Sequence, residues 1–307
     1  MTHPSFDCTG VIPACLLPFQ ADLSIDMENY RKHITDIAEV RGISAITVNG
    51  HASEVSSCTF DEQQKLLEAA CDQVGDRVRI VTGIYADSTA EAVRLARMAD
   101  TSGASALLVF PPNVFAMGSR PEMVLAHFSA IADATSLPLI VFQFPVREAM
   151  SYGHDTLGML VDSIPSIRAM KDGSGDPVRS EMAVRDYQSD KFSVLSTHSA
   201  WLMQSLVLGC KGVLSGAGST VAELQVKLFE AVQNHDLETA QAVSARLYST
   251  TKAFYRSPSV DMHNRMKEAQ VLLGRLPSAA VRPPLQKLPD EEIALIGQLM
   301  KDAGIVG

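Results

Sequence analysis

The chain is short of the residues that would assign it to several large functional classes. Its five cysteines (Cys8, Cys15, Cys58, Cys71 and Cys210) are scattered, odd in number and form no CxxC pair. That usage points to reduced thiols in a cytoplasmic setting rather than to a disulfide framework. Eight histidines make no HExxH or HxH pattern, so spacing offers no metal site, and neither metal nor cofactor is expected. No long basic cluster is present and the net charge is −9, which disfavours nucleic acid and anionic membranes as partners. No apolar run approaches the ~20 residues of a membrane span, and residues 1–9 carry no basic region followed by an apolar segment, so no signal peptide is expected. No low-complexity segment, GxGxxG or P-loop is found.

What the chain does have is core-forming material in a repeating order. It is 307 residues long, 46% hydrophobic and 20% charged, ample for a sizeable core. Apolar, β-rich runs recur at 11–17, 43–48, 78–84, 106–110, 138–144, 167–170, 192–195 and 212–214. Most are near-continuous rather than alternating, as in strands buried on both faces of a parallel sheet. Helical patterns lie between them. Thr59-Phe60-Asp61-Glu62 reads as a capping box ahead of an apolar face of Leu66, Leu67, Ala70 and Val74. Ser88 to Glu91 repeats the device before Ala92, Leu95, Ala96 and Ala99, and Val124, Leu125, Phe128 and Ile131 form a third stripe.

Strand–helix units of roughly thirty residues, repeated end to end, predict an α/β fold: a closed (β/α)8 TIM barrel. An open doubly wound sheet is the alternative, weakened by the missing phosphate loop after the first strand. After Val221 the β-rich runs stop, and residues 221–233, 236–254, 261–274 and 290–303 read as helices, with Arg282-Pro283-Pro284 breaking the last two. The expected division is a barrel over 1–225 carrying the active site and a C-terminal helical extension over 226–307.

A barrel locates function at the carboxyl ends of its strands. Those positions collect the turn at 50–54 with His51, then Tyr85, Pro112-Asn113, Phe142 to Arg147, Lys171, Thr197-His198 and Ser215-Gly216. Lys171 ends an apolar run and is followed by the glycine-punctuated Asp172-Gly173-Ser174-Gly175. An amine there is partly desolvated, so its pKa falls and it can attack a carbonyl carbon. An arginine, hydroxyls and a turn of exposed amides around one nucleophilic amine suit a small 2-oxo acid. Pocket size depends on Phe110, Phe115, Phe142 and Phe144.

These motifs resemble the dihydrodipicolinate synthase / N-acetylneuraminate lyase family of class I (Schiff-base) aldolases over nearly the whole length. The likeness rests on Gly10-Val11-Ile12-Pro13, Asn49-Gly50 with Glu54, Leu137 to Ile140, Lys171 to Asp176, Gly209 to Ser215 and Val281 to Leu285. It implies a barrel with a C-terminal helical domain and a homo-oligomer, tetramer or dimer. It implies Lys171 as the Schiff-base lysine for pyruvate or a similar 2-oxo acid. It also implies Arg147 as a carboxylate-binding group and Leu214 and Ser215 at the pocket wall.

Three departures bear on mechanism. Where the family has Gly-Thr-Thr-Gly-Glu, this chain has Gly50-His51-Ala52-Ser53-Glu54. Where the family has Tyr-Asn-Val-Pro, it has Phe142-Gln143-Phe144-Pro145, so the proton-transferring phenol is absent. Pro112-Asn113 stands in place of an aromatic pair. Either another group carries protons, with His51 and Tyr85 ahead of His198 as candidates, or the Schiff base serves other chemistry, such as dehydration or hydration–aldol cleavage. A non-catalytic keto-acid binder is the third reading. Gly50, Ala52, Ser53 and Phe142 complete the expected substrate-binding set.

Overall fold

A computed structural model provides the structure of residues 6–146, 149–197 and 199–306. Strands β1 (Gly10–Pro13), β2 (Ala45–Val48), β3 (Arg79–Ile84) and β4 (Ala106–Val109) alternate with helices α1 (Met27–Ala38), α2 (Phe60–Val74), α3 (Thr89–Thr101) and α4 (Pro121–Ala132). The second half continues with β5 (Leu139–Gln143), α5 (His154–Ser163), β6 (Ile167–Asp172), α6 (Pro177–Asp186), β7 (Ser193–Ser196), α7 (Leu202–Leu208) and β8 (Gly212–Ser215). All pairings are parallel, in the order β1-β8-β7-β6-β5-β4-β3-β2. Bridges between Val11 and Ile43 and between Ala14 and Thr47 bring β1 back to β2 and nearly close the barrel. The expected TIM barrel is present.

Alternation along each strand divides the apolar residues between two cores. Ile12, Ala45, Val81, Leu108, Ile140 and Ala169 fill the barrel interior. Their neighbours Ile46, Ile80, Val109, Val141 and Met170 face outward into the layer of helices. The continuous apolar runs therefore reflect burial on both faces. The strand ends shift by a residue or more from expectation, most at three places: the first ends at Pro13 rather than residue 17, the second begins at Ala45 rather than residue 43, and the sixth runs on to Asp172. Past Pro13 the chain remains buried through Leu17 with only the Ala14–Thr47 bridge as pairing; Ala14 and Leu16 pack with the C-terminal helices, Cys15 and Leu17 with the helices around the barrel.

The helix starts follow the local chemistry. Thr59 accepts from the Glu62 amide while Glu62 returns a carboxylate to the Thr59 amide, closing the capping box. Ser88 likewise accepts from the Glu91 amide, but Glu91 turns to Arg94 instead of reaching back.

Beyond the barrel stand α8 (Gly218–Gln233), kinked at Val221, then α9 (Leu237–Phe254), α10 (Met262–Leu272) and α11 (Asp290–Asp302). Residue 225 lies inside α8, so the barrel and the extension share one helix. Phe254, Met266, Ile296 and Met300 pack in the same cluster as Ala14, Leu16 and Val213 of the barrel. A buried ion pair crosses this seam, Lys267 donating to Glu54, and within the extension Arg265 of α10 donates to Glu292 of α11 at 2.6 Å. None of the helices among the described residues is long and apolar enough to cross a membrane.

Candidate active site

In β6, Ala169 faces the barrel interior and Met170 the surrounding helices. The period of two therefore sends the next side chain, Lys171, inward at the mouth. It is 9% exposed. Its partner in the ladder is Phe142 of β5, whose ring centroid lies 4.0 Å from the lysine Nζ. Among the described residues the amine has no hydrogen-bonding or ion-pairing partner. Burial without a counter-charge pulls its pKa from 10.5 down to about 7. Much of Lys171 is therefore a free amine near neutrality, the form that attacks a carbonyl.

The segment after Lys171 is held tightly. Asp172 accepts from the Ser174 amide at 2.9 Å and from the Ser180 hydroxyl, tying the loop to α6. A Cβ on Gly173 would meet the Gln143 carbonyl at 2.6 Å, so only glycine fits there.

Lys171 opens into a cavity of about 340 Å³. Gly50, His51, Ala52, Phe110, Phe142 and Phe144 line its barrel side. None of the described lining residues is Asp, Glu, Asn or Gln. The Thr47 hydroxyl is buried in this wall with no protein partner among the described residues. The turn His51–Ser53 is a single 3-10 turn between Gly50 and Glu54, with Glu54 in the left-handed region at φ 49°. Its first amides have no partner within the turn.

His51 sits in a box of rings, with centroids at 4.6 Å to Phe110, 5.6 Å to Tyr85, 5.8 Å to Phe144 and 6.0 Å to Phe142. Burial, with the positive charge of Lys171 as a smaller cause, lowers its pKa to about 3, so the imidazole is neutral at ordinary pH. His51, Gly50, Ala52, Phe142 and Lys171 are thus brought together.

Other expected site residues lie elsewhere. Ser53 donates its hydroxyl to the Cys15 carbonyl at 2.8 Å and does not line the cavity. Tyr85 meets His51 edge-on, and its phenol oxygen accepts from Asn113 at 3.1 Å. It is one ring of the box around His51 and does not line the cavity. Leu214 is part of the barrel interior, and Ser215 is fully buried with its hydroxyl unpartnered among the described residues. In their place Gly216 forms the wall at this end of β8. Arg147 and His198 lie outside the described residues.

The far wall went unread in the sequence. Thr251 of α9, Tyr255, Ser259, and Met262 and His263 of α10 close the cavity from the C-terminal extension. Tyr255 is anchored there by accepting from the Ala217 amide at 3.3 Å. No local pattern marks these residues, because their place over the barrel mouth is set by helix packing.

A model of the dihydrodipicolinate synthetase family matches residues 7–303. The 4-hydroxy-tetrahydrodipicolinate synthase of Haloarcula marismortui is 31% identical over 291 residues, 94% of this chain and 92% of that one. The enzyme of the same name from Methanopyrus kandleri is 28% identical over 304 residues, covering 98% of each. Among solved structures, dihydrodipicolinate synthase DapA-2 of Bacillus anthracis is 25% identical with a TM-score of 0.88, over 96% of this chain and 98% of its own.

Proposed function

This chain belongs to the dihydrodipicolinate synthetase family, and on that premise we propose that it is a Schiff-base-forming lyase or synthase acting through Lys171 on pyruvate or a pyruvate-yielding 2-oxo acid. The observation that carries the reading is the buried amine lining the cavity, with its pKa near 7 and no polar partner among the described residues. The free amine adds to the keto carbon, the carbinolamine loses water, and the resulting iminium draws electrons from the adjacent carbon. A C–C or C–O bond one carbon further out can then form or break through the enamine.

The unpartnered Thr47 hydroxyl and the leading amides of the turn at 50–54 supply donors for the carboxylate of the keto acid. Arg147 is assigned the carboxylate of a second substrate. His51 is assigned proton transfer at the carbinolamine stage, since Phe142 has no phenol to offer. Tyr85 supports His51 through its edge contact rather than by touching substrate.

A second reading, dehydration or hydration–aldol cleavage, gains support from the same lining. Phe110, Phe142, Phe144 and Tyr255 line it, and the described lining offers no carboxylate or amide side chain for a densely hydroxylated chain. The exposed apolar side chains Val207, Leu237 and Tyr248 favour a homo-oligomer, dimer or tetramer, which sedimentation measures directly. Five free thiols suit a cytoplasmic setting.

The test is borohydride reduction in the presence of pyruvate, read by intact and peptide mass spectrometry. A reduced pyruvyl adduct on Lys171, absent from a folded Lys171→Ala variant, is expected. A wild-type protein that forms no adduct with pyruvate or other 2-oxo acids would sink the Schiff-base reading and leave a binder.

A further inference from the structure

Among the described residues two imidazoles line the cavity around Lys171, one on each side of the barrel–extension seam. His51 comes from the barrel. His263, the second residue of α10, comes from the extension and lies against the end of β8. Its Nε2 would stand 2.9 Å from a Cβ at position 216, so a glycine there is what admits the ring. Met266, one turn further along α10, closes the same gap with its sulfur 3.7 Å from that point. Among the described residues His263 has no hydrogen-bond partner, and neither does His51. Polar rings brought under cover usually find a protein partner. Two that do not, in one cavity with a nucleophilic amine, keep their nitrogens for a ligand.

The chemistry leaves a task for one of them. Once the iminium has formed, a proton must leave the carbon next to it. The ring at position 142, beside Lys171 in the ladder, has no acid–base group. The Tyr255 phenol accepts from the Ala217 amide and keeps its own proton, so it stands as a donor rather than a base, and His51 is hemmed in by Phe110, Phe142, Phe144 and Tyr85. The described lining holds no carboxylate. His263 approaches from the wall formed by the extension and has no ring packed against it among the described residues.

We propose that His263 is the base that takes the C3 proton from a 2-oxo acid held on Lys171. The assignment rests on the Schiff-base reading above. In the step the C3–H bond breaks and its electron pair becomes the C=C bond of the enamine. The C=N pair returns to the lysine nitrogen, quenching the iminium charge, and the proton goes to a free ring nitrogen of His263. Burial, with the charges of Lys171 and Lys267 among the smaller causes, holds this imidazole neutral, its pKa lowered to about 3. Its lone pair is therefore free to accept, and the negative charge of the keto-acid carboxylate held in the same cavity offsets the lowered basicity.

Pyruvate alone tests the proposal, with no second substrate required. The wild-type protein is incubated with pyruvate in D2O, and loss of the methyl proton signal is followed by NMR. The same samples are reduced with borohydride and the Lys171 adduct is quantified. The expected result is that His263→Gln and His263→Phe form the adduct to the wild-type extent but exchange methyl protons roughly 10²–10⁴-fold more slowly. Wild-type exchange in a trapped His263 variant overturns the proposal. So does loss of exchange in His51→Gln with exchange intact in His263→Gln. Loss of trapping in both His263 variants also overturns it, since the side chain would then serve imine formation or folding. Absence of an adduct in the wild type defeats the parent reading instead.

Discussion

Lys171 is a destabilising residue by construction. Its folded pKa, about 7, lies below the ordinary 10.5, so between those values the unfolded chain holds a proton that the folded chain lacks. Stability therefore falls as pH drops from 10.5 to about 7 and gains nothing back below it. Lys171→Met, which keeps the length and removes the desolvated amine, should raise stability by about 1–3 kcal/mol and shift the melting temperature upward at neutral pH. An unchanged or lower melting point would mean the amine is not poorly solvated. The same titration sets reactivity: the initial rate of pyruvate adduct formation should fall about tenfold per pH unit below about 7. A rate flat down to pH 5 would contradict the lowered pKa.

At the scale of elements, the start of α2 does more than begin a helix. Glu62 closes the capping box with Thr59 and also receives a two-pronged contact from Arg282, at 2.7 and 3.0 Å. Arg282 in turn donates to the Leu23 and Ser57 carbonyls, so one guanidinium ties the extension to two barrel loops. The hydrogen bonds from Arg282 are the main reason the Glu62 carboxyl lies at about 2 rather than 4.5. A depressed carboxylate stabilises above its unfolded pKa, and that stability is lost as pH falls from 4.5 toward about 2. Glu62→Gln should accordingly flatten the stability change across that window in acid titrations followed by circular dichroism. Thr59→Ala should cost about 1 kcal/mol in denaturant unfolding at neutral pH; a change of a few tenths would show that Glu62 alone holds the helix start.

For the whole molecule, the decisive contact joins the active-site turn to the extension. Glu54, at the end of that turn, receives the buried Lys267 amine on one oxygen and the Arg282 amide on the other at 3.0 Å. Lys267 also donates to the Ala280 carbonyl at 2.8 Å. Removing one member of a buried pair leaves an unpaired charge, so Lys267→Met should cost about 3–5 kcal/mol, while Glu54→Gln with Lys267→Met should cost much less. Equal losses for single and double variants would mean that the pair is not coupled. Because α8 to α11 and the barrel share one core, a chain ending at residue 225 should fail to unfold cooperatively when assayed by calorimetry.

The sequence by itself determined the strand–helix alternation, the barrel and the inward-facing Lys171, because each depends on local apolar periodicity and on one residue's place at a strand end. It also showed, through Phe142, which proton-transfer group is missing. It marked His51, which heads a turn directly after β2. Only the tertiary structure decided how those groups are used. Ser53 carries a hydroxyl in the expected turn, yet the fold spends it on the Cys15 carbonyl. Tyr85 follows β3 as expected, but its ring packs on His51 and Phe110 and does not line the cavity. His263 stands 92 residues beyond Lys171 in the numbering, on a helix that any amphipathic pattern would allow to dock elsewhere. Its meeting with Gly216 follows from the packing of α10 on the barrel, an interaction between distant segments that no local spacing encodes.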